Sequence, residues 1–202
     1  FDFYRARGQV EDALSAWDQA WQAQGRSPDY IFPLYQMMQE VGDLERSRQY
    51  LKKEKNPLRR GFFEGMLATI EGTLDEADKH WKRVAKMDPL EFEDGQESWA
   101  EAALRVDWPP EKVVGMLNAV FESAAFSLRE LVLQAVAEAR LGHSVHVEHA
   151  LEMARNMVMR SRPRQDELSL AHWELFDELV SDDEIKHKVR HYFTEEAEGE
   201  AD

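Results

Sequence analysis

Cysteine is absent from the 202 residues of this chain. That excludes disulfides, thiolate metal ligands and cysteine nucleophiles, and it leaves the redox compartment open. Basic residues are scarce beside acidic ones: 25 Lys and Arg stand against 40 Asp and Glu, for a formal charge of −15. A general nucleic-acid binder carries a basic footprint, so nucleic acid is not an expected partner. No uninterrupted apolar run reaches about eighteen residues, so no membrane insertion is expected of this segment. A phosphate-cradling glycine loop, a dinucleotide fingerprint and a G-x-S-x-G elbow are all missing. With none of these, the chain is read as a non-enzyme without a cofactor. It begins at Phe1, in a stretch with the character of a helix end, and is expected to be a piece of a longer protein.

What is present is apolar periodicity at three- and four-residue steps, from 43 % hydrophobic residues, enough to bury a continuous core. No stretch alternates as a half-buried strand does, so the expected class is all-α. The best-defined stretch is Gly61–Pro89, GFFEGMLATIEGTLDEADKHWKRVAKMDP. Gly65 lets two helices approach, Gly72 breaks the chain, and Thr73 with Glu76 reads as a capping box. Ala77, Trp81 and Val84 then mark one face, and Pro89 stops the second helix. Before it, Val10, Ala13, Leu14, Trp17, Ala20 and Trp21 form a stripe, and Gly42 follows Gly8 by 34 residues. Ser47 stands where an alanine is expected, and Pro57 with the polar Lys52–Asn56 ends that helix early. After Pro89, helices are expected around Trp99–Val106, Val113–Phe121, Leu131–Gly142 (opened by a Ser127/Glu130 box) and Val147–Val158. A last pair runs over Leu168–Leu179 and Ile185–Phe193, with Ser181/Glu184 as a third box. Asp107-Trp108-Pro109-Pro110 lacks a glycine, and the helix after it does not align with the central unit without a shift.

The ladder of small residue, glycine, alanine, aromatic and proline at Gly65, Gly72, Ala77, Trp81 and Pro89 resembles a tetratricopeptide repeat. The resemblance is best over 58–91 and partial over 1–57 and 127–158. It implies a right-handed superhelical α-solenoid of antiparallel helix hairpins, with about eleven helices in five hairpins after a truncated first repeat. On this reading 1–194 is one helical-repeat domain, and 195–202 (EEAEGEAD) is an acidic, disordered tail.

The resemblance further implies that first helices line a concave, ligand-facing surface. The matching positions are Phe32 and Gln36 in the second repeat and Arg59, Phe62, Met66 and Ile70 in the central one. Arg129, Val132, Val136 and Arg140 match in the repeat that closes at Gly142. Phe32 and Gln36 fall where chaperone-tail-binding members carry a lysine and asparagine clamp, so that activity is not expected. The expected function is a non-catalytic scaffold for a peptide or protein partner. The alternative is an architectural, self-associating (homo-oligomeric) or ligand-sensing segment of a larger protein.

Histidines are the remaining candidates for chemistry. His187 and His191 are four apart on a helix, a zinc-sharing step, but Lys188, Val189 and Arg190 add no third ligand. His143 and His149 are six apart and point to different sides of a helix, so His143, His146 and His149 are not expected to converge. No metal site is expected. The basic turn Arg160–Arg164 reads as solvated, and Trp17 and Trp81 read as core.

Overall fold

The computed structural model describes residues 9–23, 42–92, 95–121, 127–161 and 175–187. Every regular element among the described residues is helical. In chain order these are α1 (Val10–Ala23), α2 (Leu44–Leu51), α3 (Pro57–Ile70) and α4 (Leu74–Ala85), then a short 3-10 turn at Pro89–Glu91. α5 (Gln96–Arg105), α6 (Pro110–Phe121), α7 (Leu128–Arg140) and α8 (Ser144–Ser161) follow. Helical segments 175–179 and 183–187 come last. No helix among the described residues is long and apolar enough to cross a membrane. Phe32, Gln36, the helix expected between Pro28 and Gly42, and the tail 195–202 lie outside the described residues. Contacts divide the chain into two compact units, Phe1–His80 and Trp81–Asp202.

In the first unit the expected stripe of α1 buries Ala13 and Trp17, and the Trp17 ring lies 6.0 Å from Tyr50 of α2. Arg46 of α2 also reaches Glu11 of α1 at 3.2 Å. Asp43 caps α2 by accepting from the Arg46 N–H, and Ser47 is buried in the slot read as alanine-like. Pro57 does more than end the preceding segment. It is the first residue of α3, where a missing N–H costs nothing, and Asn56 caps the helix by accepting from Leu58 and Arg59. α3 buries Leu58, Phe62, Phe63, Leu67 and Ala68, with the two phenylalanine rings edge to face at 5.1 Å.

The second unit is built around α7, which packs against α5, α6 and α8. Leu131, Leu133, Ala135 and Ala137 of α7 are buried, as are Leu104, Val113, Leu117, Val147 and Leu151 of its neighbours. Each large aliphatic side chain buried in this way contributes about 1.5–3 kcal/mol. The Ser127/Glu130 box forms as read: the Glu130 N–H donates to the Ser127 hydroxyl, and the Ser127 N–H donates to the Glu130 carboxylate. The third box does not. Asp182, not Ser181, caps segment 183–187, its carboxylate accepting from Glu184 and Ile185 N–H. Trp99 and Trp81 are both buried, and the Trp99 indole N–H donates to the Ala85 carbonyl near the end of α4.

Three turns share one hydrogen-bond pattern. After α3, Thr73 N–H donates to Ala68 O (2.8 Å) and Gly72 N–H to Thr69 O (3.0 Å). After α7, His143 N–H donates to Glu138 O and Gly142 N–H to Ala139 O, both at 3.0 Å. After α5, Trp108 N–H donates to Ala103 O (2.9 Å) and Asp107 N–H to Leu104 O (3.3 Å). This is the left-handed helix stop that satisfies terminal carbonyls, with φ of +75° at Gly72, +53° at Asp107 and +74° at Gly142. Asp107 therefore fills the slot that seemed to lack its glycine, and the three stops are 35 residues apart. Gly65, Ala100 and Ala135 recur at the same interval and are all buried. The shift that obscured α6 is a single residue: α6 starts three positions after its stop, α4 and α8 two.

The backbone assigns opposite signs to two kinds of glycine substitution. A Cβ at Gly72, Gly142 or Gly115 meets nothing within 4 Å, so only backbone torsion decides. Gly72→Ala and Gly142→Ala are each expected to cost about 1–2 kcal/mol for the left-handed conformation. Gly115→Ala, on the exposed side of α6, is expected to gain about 0.5–1 kcal/mol. Urea melts of the three variants check the contrast, and equal effects would mean that the stops are not strained by a side chain.

Candidate functional site

The residues expected to face a partner are placed very differently from one another. In α3, Phe62 is 3 % exposed and belongs to the core, Met66 is half-buried, and Ile70 is 48 % exposed. Arg59 lies against the buried carboxylate of Glu54, with Nη2 donating at 3.4 Å and Nε 3.2 Å from the second oxygen. In α7, Val132 and Val136 are buried because that helix is packed on several sides, so they offer no open apolar face. The expectation of a groove lined by Phe62, Val132 and Val136 is corrected accordingly: these three side chains serve packing.

The same register positions in the second unit carry charge instead. Thirty-five residues on from Met66 and Ile70 stand Glu101 and Arg105, and the next interval brings Val136 and Arg140. Glu101 is fully buried. One of its oxygens accepts from Arg105 Nε (3.0 Å) and Nη2 (2.8 Å), and the other accepts from Arg129 of α7. Arg105 continues to Glu178 in segment 175–179, at 2.7 and 3.0 Å, and its guanidinium lies 5.1 Å from the centre of the Trp81 ring. Burial pulls the Arg105 pKa down, but the hydrogen bonds and charges of Glu178 and Glu101 outweigh that and hold it above its ordinary value.

Arg140 is placed between two helix ends. It donates to Leu104 O (2.7 Å) near the end of α5 and to Leu179 O (2.9 and 3.1 Å), and it meets Asp107 at 3.3 Å. A cation at terminal carbonyls satisfies orphan acceptors and complements the helix dipole. Burial lowers its pKa, with Asp107 opposing. Arg129 and Arg140, expected on the partner-facing surface, thus hold helices together.

A second cluster lies at the turn between α7 and α8. Glu138 is buried, and its Oε2 lies 2.8 Å from His143 Nδ1 and 3.3 Å from His146 Nδ1. The two rings are edge to face at 5.4 Å. One ligand atom from each of the three residues falls within 4.8 Å of the others. The three histidines do not converge as a trio, as expected, but His143 and His146 meet on Glu138, which the sequence reading did not include, for a local reason. His143 precedes α8, and its N–H bond to Glu138 O brings the end of α7 beside it. His149 is exposed and outside the cluster, His187 is exposed, and His191 lies outside the described residues. Glu138 was the missing signal: five residues before His143, it is the position that this helix stop always pairs with it.

Comparison with protein-family models, with curated proteins and with solved structures found no match to this chain.

Glu130 is an acid whose burial opposes ionisation. Desolvation raises its pKa, the Glu97 charge adds to this, and the hydrogen bonds to Ser127 oppose it. A raised folded pKa means that the native state holds its proton more tightly than the unfolded one, so stability is lost as pH rises through the carboxylate range. Glutamine keeps the capping-box acceptor without the charge. Glu130→Gln is therefore expected to raise the urea midpoint at neutral pH, with the gain fading below about pH 4.3, the ordinary glutamate value. A loss at neutral pH would show that the carboxylate charge is favourable.

Proposed function

We propose that the chain is a non-catalytic interaction scaffold, a TPR-like right-handed α-solenoid that holds a peptide or protein partner along its first helices. The observation that carries this reading is the recurrence of one helix stop at Gly72, Asp107 and Gly142 at a constant 35-residue interval, close to the 34-residue unit of the family it resembles. Stacked hairpins of this kind leave an extended surface that single-core domains lack. Within the expected positions, the apolar surface available to a partner narrows to α3: Met66 is half-buried, Ile70 is exposed, and Leu74, just beyond the Gly72 stop, is 64 % exposed. Met66 and Ile70, at a four-residue step on α3, with exposed Leu74 at the start of α4, suit anchoring of a partner segment. The corresponding positions Glu101, Arg105 and Arg140 bond one another or helix ends and serve the fold. The same apolar residues would suit the alternative reading, contact with a second copy of the chain.

Replacing Ile70 with a photo-crosslinking amino acid in cells distinguishes the two. The scaffold reading expects a discrete adduct with a different protein, reduced when Leu74 is changed to aspartate. Leu74→Asp is expected to shift stability by no more than about 0.5 kcal/mol, as an exposed substitution. An adduct with the chain itself would replace the reading by self-association, and no adduct would remove α3 as a docking helix.

A further inference from the structure

We propose that Glu138, His143 and His146 form a site for one divalent transition-metal ion of the zinc class. Tetrahedral ligands at 2.0–2.2 Å from an ion lie about 3.3 Å from one another. The Glu138 oxygen stands 2.8 and 3.3 Å from the two Nδ1 atoms, so small side-chain adjustments admit the ion. The backbone presets this geometry. The helix stop at Gly142 joins His143 N–H to Glu138 O, and His146 N–H donates to His143 O, both at 3.0 Å. Neutral imidazoles coordinate through Nδ1 with the ring proton on Nε2.

Three of the differences between this turn and the equivalent one after α3 supply the ligands. Ala68 becomes Glu138, Thr73 becomes His143 and Glu76 becomes His146, each 70 residues on. Ala103 also stands in the slot of Glu138, so the packing there has no need of a carboxylate. Burying one costs free energy unless it is paired, and both hydrogen bonds of Glu138 go to these imidazoles. The histidine side chains are 51 % and 64 % exposed, which gives an ion a path in and leaves coordination positions to water. Two imidazoles and one carboxylate favour zinc-class ions over magnesium or calcium, which prefer oxygen. A bound ion would pin the α7–α8 turn and so stabilise the hairpin.

Calorimetric titration of the metal-free chain with zinc ions is the test, alongside thermal melts with and without zinc. One equivalent should bind and raise the melting temperature. His143→Ala and His146→Ala should each weaken binding at least tenfold, since even outer-shell changes commonly cost about 10–100-fold, while His149→Ala leaves it unchanged. Glu138→Gln should weaken binding similarly. Because that side chain is buried, the exposed His146→Ala decides if Glu138→Gln fails to fold. Absence of binding, or binding in His143→Ala and His146→Ala as tight as in the unaltered chain, would overturn the proposal.

Discussion

A single buried carboxylate, Glu101, is the constraint on which the second unit depends. Taking a carboxylate out of water costs several kcal/mol, and only close, well-aligned cations offset it. Glu101 finds them in Arg105, one turn further along α5, and in Arg129 at the start of α7. Arg105 then carries the constraint to Glu178 and over the face of Trp81, so α4, α5, α7 and segment 175–179 meet at one set of charges. Such a network adds little over a well-packed apolar core. Its members depend on one another, because removing one leaves a buried charge without its partner. Arg140 repeats the device one interval later, with helix-terminal carbonyls as its acceptors.

Register along the chain comes from the helix stops. Gly72 and Gly142 announce themselves in the sequence because glycine is the usual residue at positive φ. Asp107 does not, although aspartate is among the few other residues that enter this region at modest cost. The sequence therefore shows the hairpins on either side of α5–α6 and loses the one between them. Recognising Asp107 restores the interval, and the one extra residue before Pro110 explains why α6 resists alignment. Other local signals were fully legible: the Ser127/Glu130 box, the buried Trp17 and Trp81, and Ser47 in a small-residue slot. The placement of Asp182 as a cap was not, because Ser181 and Asp182 are equally good capping residues and only geometry separates them.

The candidate sites were less legible than the helices, for a common reason. Positions on a first helix can be read from periodicity, but what covers them depends on helices distant in sequence. Val132 and Val136 look like half of an apolar groove until α7 is seen packed against α5, α6 and α8. Arg129 and Arg140 look like partner-facing residues until Glu101 and the carbonyls of Leu104 and Leu179 are placed beside them. The histidines show the opposite case. A helical wheel rightly sets His149 apart, but it does not show that His143, standing before α8, meets Glu138 of the preceding helix together with His146. Where two helices meet, chain distance and helix periodicity both stop being guides.

The proposed scaffold confines the partner surface to Met66 and Ile70 of α3, because the matching positions of the second unit carry Glu101 and Arg105, closed by charge, and Val136 and Arg140, closed by packing and by helix-end carbonyls. The most direct measurement of that closure is a double-mutant cycle on Glu101 and Arg129, with Glu101→Gln, Arg129→Gln and both together compared by urea unfolding. A buried, mutually dependent pair predicts that the double variant is less destabilised than the sum of the singles, by about 0.5–3 kcal/mol. Additivity within about 0.5 kcal/mol would contradict it, because the two side chains would then act independently and the charged face would be open to solvent.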